Sequence, residues 1–183
     1  MGRQVFVAFL RGINVGGKNQ VSMTDLTKSF LQLGFSEVST YINSGNVIFN
    51  SHGFTNEELQ KMIETSIAYL FSNPISVVVR SSQEIQSTID HIPIDWLNVD
   101  DRKYNVIFLL SSIDGSDIIK HFVLQPNLET LAYAPGVLFW ASSASGWSQT
   151  TMSKLNQMPI SKSMTIRNVN TVRKVFALMS SSN

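Results

Sequence analysis

Residues 11–19 read Arg-Gly-Ile-Asn-Val-Gly-Gly-Lys-Asn, with three glycines inside six positions and a cation on either side. Backbone N–H groups of a glycine-rich turn that runs into a helix attract anions. The chain approaches closely there, and the helix dipole points its positive end at the ligand. Arg11 and Lys18 would add charge, Gly16 and Gly17 backbone approach, and Asn14 a hydrogen-bonding side chain. The segment is not a standard nucleotide loop. A phosphate-binding loop places Ser or Thr after its Gly-Lys pair to hold magnesium, and here Asn19 follows Lys18. The glycine spacing also misses the dinucleotide fingerprint. A mobile strand-to-helix connection whose glycines permit positive φ would use the same residues, and both readings stay open.

A second set lies at residues 161–171, Ser-Lys-Ser-Met-Thr-Ile-Arg-Asn-Val-Asn-Thr. Lys162 and Arg167 bring charge, and Ser161, Ser163 and Thr171 bring hydroxyls. Asn168 or Asn170 stands where the last helix should begin. Arginine beside hydroxyls and a helix start can hold an anion, although plain capping uses the same orphan N–H groups. The third set is the turn Tyr-Ile-Asn-Ser-Gly-Asn-Val, residues 41–47. Asn43 and Ser44 would form the rim of a site, but both are turn formers in their own right.

Other chemistries find no support in the residues. His52, His91 and His121 are scattered without metal-ligand spacing, and no G-x-S-x-G elbow is present. Thr151 with Lys154, and Thr171 with Lys174, have a hydroxyl–lysine spacing that arises by chance. Glu57 and Glu58 fall in the first turn of a helix, where the dipole explains them. Asp100 and Asp101 are expected in a solvated linker. No nucleophile–base pair stands out, and the sequence names no cofactor.

The elements that must position these residues follow from periodicity. The run Gln-Val-Phe-Val-Ala-Phe-Leu from residue 4 predicts a buried strand. Ser22 and Asp25 mark a helix start, Leu26, Phe30, Leu31 and Leu33 its apolar face, and Gly34 its end. Strands over 37–42 and 46–50 flank the Asn43-Ser44-Gly45 turn. Thr55 caps a second helix, whose apolar side is Leu59, Met62, Ile63, Ile67 and Leu70. A strand at 75–80 follows it. The order β-α-β-β-α-β then recurs: a strand at 103–110, a helix at 116–124, strands at 129–134 and 137–142, a short helix at 151–158 and a strand at 163–167. A final helix carries Val172, Val175, Phe176 and Met179. Each half has the split-βαβ, ferredoxin-like arrangement. The domains expected are residues 1–80, a helix and acidic linker at 81–102, and residues 103–183. Trp96 in the linker is expected to be packed between the lobes rather than to serve as a ligand platform.

At 183 residues, with 43% apolar and 15% charged residues, the chain can bury a substantial core. The N-terminal apolar run is far too short to span a membrane, and no membrane association is expected. The absence of cysteine excludes disulfides and thiolate sites and fits a cytoplasmic protein. The net charge of +1 hides an asymmetry. Residues 1–36 carry Arg3, Arg11, Lys18 and Lys28 against Asp25. Residues 37–129 hold five cations against twelve carboxylates. Residues 130–183 carry Lys154, Lys162, Arg167, Arg173 and Lys174 with no carboxylate. Basic ends around an acidic middle speak to partners rather than to fold.

Three stretches, Phe-Leu-Arg-Gly-Ile-Asn-Val-Gly-Gly-Lys-Asn-Gln-Val-Ser-Met-Thr-Asp-Leu, Tyr-Ile-Asn-Ser-Gly-Asn-Val-Ile-Phe and Thr-Ile-Arg-Asn-Val-Asn-Thr-Val-Arg-Lys-Val, carry a resemblance. The chain resembles domain of unknown function (DUF) family 1697, small bacterial proteins, over essentially its whole length. The resemblance implies α+β, ferredoxin-like lobes and supplies no substrate, cofactor or catalytic residue. It also implies an aromatic after the C-terminal Arg-Asn pair, where this chain has Val169.

The expectation is therefore a two-lobed α+β protein, with antiparallel sheets and helices on one face of each. It would bind an anionic, phosphorylated small molecule between its basic N- and C-terminal segments. Arg11, Lys18, Lys162 and Arg167 would supply charge, Asn14, Gly16 and Gly17 close approach, and Asn43, Ser44 and Asn168 the rim. The residues leave two alternatives: a single-stranded nucleic-acid binder, although the RNP1 pattern is absent, and an enzyme acting on a phosphorylated metabolite. They do not fix the oligomeric state.

Overall fold

The computed structural model describes residues 4–14, 20–71, 74–94, 96 and 101–181. They form two compact units, Met1–Gln86 with Arg173–Asn183, and Ser87–Val172. The architecture is α+β, with two four-stranded antiparallel sheets.

The first unit runs β1 (Gln4–Leu10), α1 (Met23–Gln32), β2 (Ser36–Tyr41), β3 (Asn46–Ser51), α2 (Asn56–Phe71), β4 (Val77–Ser81) and α3 (Ser82–Asp90), the last continuing beyond Gln86. Its sheet order is β2-β3-β1-β4. The helix boundaries follow their capping chemistry. Ser22 Oγ accepts the Asp25 N–H at 3.3 Å. Gly34, at φ 84°, follows the last turn of α1. Thr55 and Glu58 form a reciprocal capping box, with the Thr55 N–H donating to Glu58 Oε2 at 2.8 Å and the Glu58 N–H to Thr55 Oγ1 at 3.3 Å. Leu26 and Phe30 of α1 and Leu59, Ile63 and Ile67 of α2 pack on Phe6, Ala8, Leu10, Val47, Phe49, Val77 and Val79 of the sheet. Phe6 and Phe49 stack at 5.8 Å within this core, which removes them as platforms for bases. On the other face Val7, Phe9, Ile48 and Val78 are buried too. That is why β1 and β3 read as continuous apolar runs rather than as alternations.

The second unit contains β5 (Arg102–Leu109), β6 (Glu129–Ala134), β7 (Val137–Ser143) and β8 (Met164–Asn168), in the order β6-β7-β5-β8. The strand pattern repeats that of the first unit, but the expected helices at 116–124 and 151–158 do not form as α-helices. Short 3-10 segments replace them at Ser116–His121 and Met152–Gln157, with others at Ser111–Ile113, Trp147–Gln149 and Pro159–Ser163. The β-branched pair Ile118-Ile119 disfavours a longer helix in the first case. In the second, Thr150 Oγ1 donates to Trp147 O at 2.7 Å and Ser153 Oγ to Thr150 O at 2.7 Å. These bonds compete with helical pairing. Pro159 then holds Met158 extended, at ψ 132°.

A buried carboxylate holds the 3-10 layer to the sheet. Glu129 accepts from Trp140 Nε1 at 3.1 Å, Gln125 N at 3.1 Å, Thr151 N at 2.8 Å and Met152 N at 2.8 Å. Trp96 is buried, with its ring 4.8 Å from that of Tyr104 and 5.9 Å from that of Phe139. The last helix, α4 (Val169–Ser181), starts at the end of β8. No helix among the described residues is long and apolar enough to cross a membrane.

Candidate functional site

Where β1 ends, the ladder continues into the neighbouring turns. The Leu10 N–H donates to Gly45 O at 2.8 Å and the Arg11 N–H to Ser76 O at 2.9 Å. Two left-handed residues, Gly12 at φ 63° and Asn14 at φ 54°, then redirect the chain around the buried Ile13. Asn is among the few side-chain-bearing residues that visit this region routinely. Its side chain also makes three bonds here: Nδ2 donates to Val21 O at 3.0 Å and to Asn43 O at 2.9 Å, while Oδ1 accepts the Val21 N–H at 2.8 Å. Asn14 thus ties itself to Val21, on the far side of the glycine-rich segment, and to the β2–β3 hairpin. Gly16, Gly17 and Lys18 lie outside the described residues.

The hairpin answers in kind. Asn46, fully buried, donates Nδ2 to Tyr41 O at 3.0 Å and to Ser44 Oγ at 3.1 Å. Gly45 sits at φ 70°, and a Cβ there would lie 2.8 Å from both Ile13 Cδ1 and Leu10 Cβ. Glycine is therefore required twice, for its conformation and for the close packing of the two turns.

Between these turns and the start of α1 lies a solvent-open cleft of about 670 Å³, lined by Asn14, Gln20, Val21, Ser22, Met23 and Asn43. Its walls combine three amides, a hydroxyl and the apolar Val21 and Met23 at a helix N-terminus, and none of the six side chains titrates. They offer hydrogen bonds and a positive dipole rather than a general base. Asp25 in the first turn of α1 is paired with Lys28 at 3.7 Å, both largely exposed. Asn14 and Asn43 are the expected site residues that meet in the cleft. Ser44 supports the turn beside it, and Arg11 is not among the lining residues. Gln20, Val21 and Met23 were not expected. A glutamine beside a polar loop carries no distinguishing sequence signal.

The remaining expected residues belong to the second unit. Lys162 is exposed in the Pro159–Ser163 segment. Asn168 caps α4, its Oδ1 accepting the Asn170 N–H at 2.9 Å. Arg167 is buried, donating Nη1 to Thr165 Oγ1 at 2.9 Å and Ile166 O at 2.7 Å, and burial pushes its pKa down to about 9. It remains charged at neutral pH. Asp101, expected to be merely solvated, is exposed yet fully engaged: it accepts from Ser143 Oγ at 2.8 Å, Ser145 Oγ at 2.8 Å and Ser145 N at 2.6 Å. Among the described residues no group of three or more His, Asp or Glu is arranged to hold a metal.

The family described as "Protein of unknown function (DUF1697)" matches residues 3–139. Among solved structures the chain is similar to a conserved bacterial protein from Streptococcus pneumoniae, at 28% identity and a TM-score of 0.84, over 97% of this chain and 99% of that one. No curated protein matches the chain.

Proposed function

We propose that this chain, which belongs to the DUF1697 family of proteins of unknown function, binds a small phosphorylated anion in the cleft at the start of α1. One observation carries the reading. A cleft of about 670 Å³ at a helix N-terminus is lined by the amides of Asn14, Gln20 and Asn43 and the Ser22 hydroxyl beside Val21 and Met23, and the segment joining Asn14 and Gln20 contains Gly16, Gly17 and Lys18. The first N–H groups of a helix have no intrahelical partner, and the Ser22 hydroxyl engages that of Asp25. The aligned dipole favours negative charge there. Lys18 supplies a cation to the ligand in this reading, and Arg11 adds to the local positive field. The Asn14–Asn43 bond holds the polar walls in place before the ligand arrives, which lowers the cost of ordering on binding. The volume falls within the range of small-molecule sites.

We also infer that each lobe is ferredoxin-like, because both sheets place the first and third strands centrally and the first unit runs β-α-β-β-α-β. The cysteine-free composition and the similarity to a pneumococcal protein support a bacterial, cytoplasmic setting.

Heteronuclear NMR titration with inorganic phosphate, a sugar phosphate and a nucleoside monophosphate locates the site. The expected result is saturable movement of the amide signals of Gln20, Met23, Thr24 and Asn43. Saturable movement confined to other residues, or none with any ligand, contradicts the proposal.

A further inference from the structure

The outer edges of the two sheets differ in chemistry. An unpaired strand edge is a template for another strand unless a bulge, a charge, a proline or a covering group blocks it. Strand β2 is blocked twice. Its register shifts between Ser36 and Ser39, and exposed Glu37 sits in that irregularity at φ 50°. On β4 the Val77 N–H is taken by Glu64 Oε1 at 2.8 Å, and Arg80 places a charge on the strand. On β8 the charge is Arg167.

On strand β6 the one charge, Glu129, is buried at the first residue, and such devices are confined to that end. It pairs with β7 in unbroken register from Glu129↔Ser142 to Ala134↔Val137. Its residues Thr130 to Ala134 contain no charge and no proline. The direction of its free groups can be read from the ladder. The Ser143 N–H donates to Leu128 O at 2.8 Å, so the even-numbered residues of this strand bond to β7 and the odd-numbered ones point outward. Glu129 N, the first outward donor, is taken by Gln125 O at 3.2 Å. Among the described residues the N–H and C=O groups of Leu131 and Tyr133 have no partner.

From this geometry we infer that β6 is a self-association edge, pairing antiparallel with β6 of a second copy of the chain. A two-fold axis through Ala132 sets Leu131 opposite Tyr133 of the partner subunit, and Tyr133 opposite Leu131 of the partner subunit. All the free backbone groups of both residues are then used in two hydrogen-bonded pairs. The central Ala132 pair is of the non-hydrogen-bonded kind, with Cα atoms about 4.5 Å apart, and the small exposed side chain there leaves no clash. No like charges meet across the axis. The contact is isologous and closes on itself, as a two-fold dimer requires, and it makes one continuous eight-stranded sheet from two four-stranded ones. It is independent of the anion cleft, which lies in the other unit.

The absence of cysteine makes the test direct. Under mild oxidation, Ala132→Cys should cross-link into a covalent dimer at least tenfold faster than Ser39→Cys, an exposed position on the bulged strand β2. Sedimentation equilibrium of the wild type should show mass rising with concentration from 20.4 kDa toward twice that value. Ala132→Lys, folded by circular dichroism, should remain at monomer mass. A wild type that stays monomeric at millimolar concentration overturns the inference. So does a dimer that Ala132→Lys leaves intact and Ala132→Cys fails to trap, because another surface then makes it.

Discussion

Asn14 Nδ2 donates to the carbonyl of Asn43 at 2.9 Å, across 29 residues of sequence. This one bond couples Asn14, just before the glycine-rich segment, to the tip of the β2–β3 hairpin, and both residues line the cleft. Asn14→Ala removes it together with both bonds to Val21, and forces a left-handed φ on alanine. The expected loss is about 1–3 kcal/mol of stability, read by urea denaturation with an unchanged m-value. Asn14→Asp keeps the acceptor for the Val21 N–H and the tolerance of positive φ, so it should fall between alanine and wild type.

Gly45 and Gly53 form a matched pair for separating backbone strain from packing. Both have positive φ, 70° and 79°, but a Cβ at Gly53 meets nothing within 4 Å, whereas at Gly45 it meets Ile13 and Leu10. Gly53→Ala should cost only the left-handed penalty of about 1–2 kcal/mol. Gly45→Ala should cost that plus an overpacking term of about 1–3 kcal/mol. Equal losses in thermal or chemical denaturation would show that the two turns do not pack as described.

The Ser145 and Ser143 hydroxyls and the Ser145 N–H, in that order of effect after the leading Ser145 hydroxyl, hold the Asp101 carboxyl below the usual aspartate range. A depressed folded-state pKa means that the unfolded chain takes up the proton first as pH falls. Asp101 therefore contributes stability that is fully present above the ordinary aspartate pKa and is lost as pH drops through the folded value. Asp101→Asn should flatten this acid limb of the stability–pH curve and leave the neutral-to-alkaline limb unchanged. Because direct hydrogen bonds lead the effect and the Arg102 charge contributes least, screening by high salt should change it little.

Much of the fold can be read in the residues because it rests on local chemistry. The apolar runs of β1 and β3, the Ser22 and Thr55 caps, Gly34 and the Asn43-Ser44-Gly45 turn each announce themselves within a few positions. The second unit is less legible, since its crossovers are 3-10 segments. Their form depends on Thr150 and Ser153 turning back on the backbone, and on Glu129 drawing the Thr151 and Met152 amides to the sheet from 22 and 23 residues away. The cleft divides the same way. Asn14 and Asn43 stand out as polar residues beside glycines, but the bond between them is tertiary, and Gln20 gains its place only from where α1 begins. Arg167 looks in sequence like an open anion ligand, and is instead buried against Thr165 and Ile166.

The central claim is anion binding at the start of α1, and the most direct measurement is calorimetric thermal stability of wild type and Lys18→Ala. The panel is inorganic phosphate, sugar phosphates, nucleotides and short oligonucleotides. A ligand that binds only the folded state at one hundred times its Kd should add about 2.7 kcal/mol, a rise in Tm of roughly 5–10 °C. The account predicts such a rise for one class of phosphorylated small molecule and its loss in Lys18→Ala. Equal rises in both proteins, or none with any ligand, would contradict it.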